Sequence, residues 1–127
     1  MNRITEIELG GSVYPLNFST RAACLFDERY DGIEKAVPSL FVADIKKLLP
    51  ELWWMLSVLI DQGAEYRRII DRVENTPRLT EAELSVVIGY QDASDVKIKM
   101  LEVMTKGAAQ TIETESDPKN AGATQGE

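Results

Sequence analysis

A chain of 127 residues, 44% hydrophobic and 28% charged, has room for one modest core and the composition of a folded globular protein rather than a disordered or fibrous one. Its formal net charge of −7 argues against nucleic-acid binding, which rests on basic patches that release counterions. The lack of any histidine removes His-based triads and His metal ligands, and the single Cys24 cannot close an intramolecular disulfide.

No charged and apolar leader opens the chain, so a cytoplasmic location is expected. A membrane span is not expected: the apolar run Leu48 to Ile60 contains Pro50 and Glu51 and falls short of the ~20 residues needed to cross a bilayer.

Residues 4–18 read as a β-hairpin. Ile4 to Leu9 and Ser12 to Phe18 flank Gly10-Gly11, a two-residue turn that requires positive φ. Such a turn pairs Leu9 with Ser12, Ile7 with Tyr14 and Thr5 with Leu16, gathers Ile7, Tyr14, Leu16 and Phe18 on one face, and turns Glu6 and Glu8 outward. Pro15 then lies opposite Glu6 in a non-hydrogen-bonded pair, where its missing N–H costs nothing to the ladder. A hairpin alone is marginal, so its apolar face is expected to lie on helices.

Ser19 is a good N-cap for a helix from Thr20 to Tyr30 with Ala22, Phe26 and Tyr30 inward, ended by Gly32. Val37 is expected outside the α region because Pro38 follows, and Ser39 can cap the next helix. The stretch from Ile45 to Ile60 then repeats apolar residues at helical spacing, and Trp53, Trp54, Met55 and Val58 widen its stripe until the helix is apolar nearly all round. Such a helix is either central or meets a partner. Pro50 predicts a kink or a break, with Pro50 opening a new helix, and Gly63 predicts the stop, although Tyr66, Ile69, Ile70 and Val73 continue the pattern.

Thr80-Glu-Ala-Glu83 matches a capping box and opens a helix through Leu84, Val87 and Ile88. After an interruption at Gly89 to Ala93, a last helix from about Ser94 to Lys106 carries Val96, Met100, Val103 and Met104 on one side. The expected fold is therefore α+β and mostly α: an N-terminal hairpin packed on a small bundle of four to six helices. Residues 1–107 form the single domain, with its hairpin over 4–18 and its helices over 19–106, and residues 108–127 a flexible polar tail without apolar periodicity.

No catalytic, cofactor or metal site is expected. Asp27 to Gly32 resembles the start of an EF-hand loop, but Arg29 and Pro38 stand where carboxylates belong. Cys24 is expected to be a buried small hydrophobe, and Gly10-Gly11 lacks the spacing and lysine of a phosphate loop. Lys97, Lys99 and Lys106 on the last helix are interleaved with acids, which argues against a helix-turn-helix reading. Adjacent helical positions diverge by about 100°, so a small domain struggles to bury both Trp53 and Trp54. Trp53, Trp54, Met55 and Val58 are accordingly the candidate protein-contact surface.

The segment Ile7-Glu-Leu-Gly-Gly-Ser-Val-Tyr-Pro-Leu-Asn-Phe-Ser19, followed by a short helix ending Asp27-Glu-Arg-Tyr-Asp-Gly32, resembles the opening of the tail assembly chaperones of long-tailed phages and prophages of Gram-positive bacteria. The later plan is similar too, with an apolar central helix, Leu79-Thr-Glu-Ala-Glu-Leu84 opening another, a final helix and a polar tail containing Lys119-Asn-Ala121. Pro50 and the double tryptophan depart from that plan. The resemblance implies a non-enzymatic factor, without cofactors, that holds the tape measure protein soluble and helps recruit tail tube subunits. It implies action in the host cell cytoplasm and absence from the mature virion, with self-association open. In many such phages a frameshifted form is longer at the C-terminus. The main rival is a structural tail or head-completion protein retained in the virion.

Overall fold

Gly10 and Gly11 take φ of 57° and 86°, the paired positive values that a tight hairpin turn demands and that only glycine adopts without strain. They join β1 (Thr5–Leu9) to β2 (Ser12–Leu16). The computed structural model describes residues 4–115, with side-chain environments through residue 105. The register is the expected one: Thr5 pairs with Leu16, Glu6 with Pro15, Ile7 with Tyr14 and Leu9 with Ser12. Ile7, Tyr14 and Leu16 are buried, Phe18 packs half-buried against the core, and Glu6 and Glu8 face outward.

The fold is α+β and mostly α, with four α-helices and three 3-10 turns among the described residues. Ser19 caps α1 (Thr20–Tyr30) by accepting the Ala22 N–H at 3.0 Å. The helix ends through Asp31 in the left-handed region, with the Gly32 N–H returning to the Asp27 carbonyl. The Asp27 carboxylate accepts the Ile33 N–H at 2.9 Å, so the sequence that resembles an EF-hand loop serves as a helix terminus. Cys24 departs from expectation: it is exposed, because the face of α1 that turns inward is the one carrying Ala22 and Phe26.

Val37 lies in the α region despite the proline after it, since 3-10 turns at Ile33–Lys35 and Pro38–Phe41 follow one another almost without a break. Ser39 donates its hydroxyl to the Ala36 carbonyl, and the cap of α2 (Ile45–Ile69) is Asp44, whose carboxylate accepts the Lys46 N–H. Pro50 sits within the first turns of this 25-residue helix without ending it.

Gly63 does not stop α2 either. The second strand crosses the helix so closely there that a Cβ on Gly63 would collide with the Pro15 carbonyl. The helix ends later, where Arg72 turns left-handed (φ 61°) and the Val73 N–H reaches back to the Arg67 carbonyl at 3.0 Å.

The capping box at Thr80 and Glu83 is complete and opens α3 (Glu81–Val87). After a 3-10 turn at Tyr90–Asp92, α4 (Ala93–Glu115) buries Val96, Met100, Val103 and Met104. It passes straight through Gly107, where the tail was expected to begin: a glycine costs a helix only about 1 kcal/mol, and Ala108, Ala109 and Gln110 are good helix formers. The rest of the expected tail, 116–127, lies outside the described residues. The core is the layer between α2 and its neighbours, with Leu16, Phe26, Leu40, Met55, Leu84 and Met100 fully buried.

Gly63→Ala is expected to destabilise the domain by about 1–3 kcal/mol through overpacking against strand backbone. Urea denaturation reads this as a lower midpoint at unchanged slope, and a wild-type midpoint would contradict the close approach of β2 to α2.

Candidate functional site

The helix that holds the candidate surface is central. β2, α1, α3, α4 and the Pro38–Phe41 turn all pack against α2, so most of its all-round apolar surface is core. Met55 is fully buried and Trp53 is 5% exposed, so neither forms a free surface as expected from sequence. Trp54 and Val58 are half-buried and packed on the core.

The two tryptophans diverge because their neighbours do. Trp54 turns toward α1, with its ring 5.5 Å from that of Phe26 and edge-on to Tyr30 at 6.0 Å. The Arg29 guanidinium lies 4.4 Å above the Trp54 ring and caps what would otherwise be an open aromatic face. Glu51 holds that cap in place: Arg29 Nε donates to its carboxylate at 3.0 Å and the Tyr30 hydroxyl donates to it at 2.7 Å. Burial alone would raise the Glu51 pKa, but the hydrogen bonds from Arg29 and Tyr30 outweigh it and hold the carboxyl below its ordinary value. The Tyr30 phenol is pushed up, first by burial and then by its bond to Glu51.

Trp53 turns the other way, toward α3, and forms the floor of an open apolar groove of about 600 Å³. Ile45, Leu49 and Pro50 make one wall, and Ala82 and Ser85, two small residues one turn apart on α3, leave room on the other. Lys46 and Glu81 stand at its edge. Ile45 of that wall is 44% exposed, and before α2 begins Phe41 is 61% and Val42 41% exposed. A smaller cleft of about 240 Å³ on the far side of Ile45 and Leu49 reaches Tyr90 and Lys97. Lys97 donates to the Leu40 carbonyl at 3.0 Å and sits 4.7 Å over the Phe41 ring.

The groove is the candidate site, and of the four residues expected from sequence it contains Trp53. Its other members escaped a reading of the chain in order because they belong to two different helices, α2 and α3. The signal that could have found them is the pair of exposed small residues on α3 together with apolar positions flanking Pro50.

Among the described residues no group of His, Cys, Asp or Glu side chains is arranged to hold a metal ion, and no helix is long and apolar enough to cross a membrane. Compared with models of protein families, with curated proteins and with solved structures, the chain matches none.

Because Glu51 has a depressed pKa in the folded state, its contribution is fully present above the ordinary carboxylate range and is lost as pH falls through its folded value. Glu51→Gln is expected to cost about 1 kcal/mol at neutral pH and progressively less in acid, as read by urea midpoints across pH 2 to 7. A pH-independent difference would remove the ionic role of this carboxylate.

Proposed function

We propose that the chain is a non-enzymatic tail assembly chaperone of a long-tailed phage or prophage. In this reading it acts in the host cell cytoplasm, binds the tape measure protein, helps recruit tail tube subunits and is absent from the mature virion. The resemblance of residues 7–32 to the opening of that family supports the assignment. The observation that carries the mode of action is the open apolar α2–α3 groove, a surface of the kind that receives a partner's amphipathic helix. A long helical partner with an apolar seam would aggregate if left bare, and the net charge of −7 would keep the complex dispersed.

Co-expression with a cognate tape measure protein is expected to raise that protein's soluble fraction, and purified virions are expected to lack the chain by mass spectrometry. Its presence at stoichiometric copy number in virions would favour a structural tail or head-completion role. No change in solubility would remove the chaperone activity.

A further inference from the structure

We propose that the outer edge of β1 takes an extended segment of another protein as a third strand, one in which basic residues alternate with apolar ones. The sheet has two strands, and among the described residues no element but β2 packs along β1. Leu9 pairs with Ser12 across the turn, so the hydrogen-bonded pairs of the ladder are those of Thr5, Ile7 and Leu9, and the N–H and C=O groups of Glu6 and Glu8 point away from β2. Among the described residues nothing on that side bonds to them. The other edge of the sheet is blocked at Pro15, which has no N–H and whose carbonyl lies against α2 at Gly63.

Room for a strand lies beside β1. A cleft of about 300 Å³ is lined on one side by Ile7 to Gly10 and on the other by the end of α3 and the start of α4, with no residue of β2 in it. Val87, Ile88 and Val96 supply its apolar ground. A second cleft, of about 480 Å³, lies beside Ile4 and Glu6 toward the other end of the same strand, again without a residue of β2. An added strand turns alternate side chains to opposite faces, one set toward that apolar ground and the other beside Glu6 and Glu8.

Charge sets the composition of the segment. The charged side chains lining the first cleft are Glu8, Asp92, Asp95 and Lys99. Lys99 is within 3.9 Å of Glu102, and among the described residues none of the three carboxylates is in an ion pair. In the second cleft Arg67 is paired with both Glu6 and Asp71. The edge is therefore bordered by an excess of carboxylates, which attracts lysine or arginine on an incoming strand and repels acids.

Other occupants fit less well. Two copies joined through β1 would bring Glu6 and Glu8 of one against those of the other, and like charges directly opposite destabilise a sheet. Residues 106–127 carry four acids against two lysines, with Ile112 as their one large apolar side chain. The edge shares no lining residue with the α2–α3 groove, and its preference does not rest on the function proposed above.

The test uses the full chain and fluorescein-labelled peptides of about eight residues that alternate valine with either lysine or glutamate. Fluorescence anisotropy is expected to show the lysine peptide binding roughly three- to tenfold more tightly at low salt, with the advantage shrinking as salt rises. Asp92→Asn with Asp95→Asn, both at exposed positions, should reduce that advantage while circular dichroism stays unchanged. The lysine peptide should slow hydrogen exchange of the Glu6 and Glu8 amides at least about tenfold, as read by NMR. Methylating one alternate set of peptide amides, the lysines for antiparallel addition or the valines for parallel, should abolish binding, and methylating the other set should leave it within about twofold. Equal binding of the two peptides, unchanged exchange at Glu6 and Glu8, or equal effects of the two methylation patterns overturns the proposal. So does a dimer in analytical ultracentrifugation whose Glu6 and Glu8 amides are already protected without peptide, since it assigns the edge to a second copy.

Discussion

The contact on which the other packing depends is that of the second strand's backbone against the middle of α2. Helices and strands ordinarily meet through side chains, with their backbones kept apart by the thickness of a residue layer. Here Gly63 removes that layer at one point, and the chain leaving β2 uses it: the Asn17 N–H donates to the Leu59 carbonyl at 3.1 Å and Asn17 Nδ2 to the Gln62 carbonyl at 3.3 Å. Two residues on, the Ser19 hydroxyl donates to Gln62 Oε1 at 2.6 Å while accepting the Ala22 N–H. One side chain thus caps α1 and ties its start to α2. The hairpin, the first helix and the central helix are placed by a few hydrogen bonds that form only if no Cβ stands at position 63.

With its middle occupied by the hairpin, α2 distributes its remaining apolar surface around its circumference. Trp54 goes to α1, Trp53 to α3, and Met55, Leu56, Leu59 and Ile60 to the interior. The apparent excess of apolar residues is thereby consumed on every side that has a neighbour. What stays uncovered lies at the two ends of the helix: at the start, where α3 leaves a gap and the preceding turn exposes Phe41 and Val42, and at the finish, where Ile69 and Ile70 are exposed.

Features set by residues close in sequence were legible before any coordinates. The Gly10-Gly11 turn dictates the register, Ser19 and Thr80 announce helix starts through capping chemistry, and the spacing of Val96, Met100 and Val103 marks the buried side of α4. Features set by distant contacts were not. Gly63 reads as a helix stop when judged locally and is an approach site when β2 is present. Val37 accepts the α region before a proline because the turns around it hold it there, and Asp44 rather than Ser39 caps the long helix. The groove is the same kind of case: Trp53 was singled out for its size, but its role depends on Ala82 and Ser85 facing it from another helix.

The two ends of α2 differ in a way that side-chain hydrophobicity alone does not describe. At the C-terminal end Ile69 and Ile70 are more than half exposed, yet the charged groups around them are paired within the chain: Arg67 with Glu6 and Asp71, Arg68 with Glu65, and Arg78 with Asp61 and Glu65. The Glu65 pKa is held down to about 2 by its bonds to Arg68 and Arg78, which marks how fully that carboxylate is engaged. A partner docking there would have to compete with ion pairs already made. At the N-terminal end the apolar surface is concave, and one lysine, Lys46, and one carboxylate, Glu81, line it without an ion pair between them. The helix that organises the core thus carries an open apolar groove at its start and a surface bounded by ion pairs at its end.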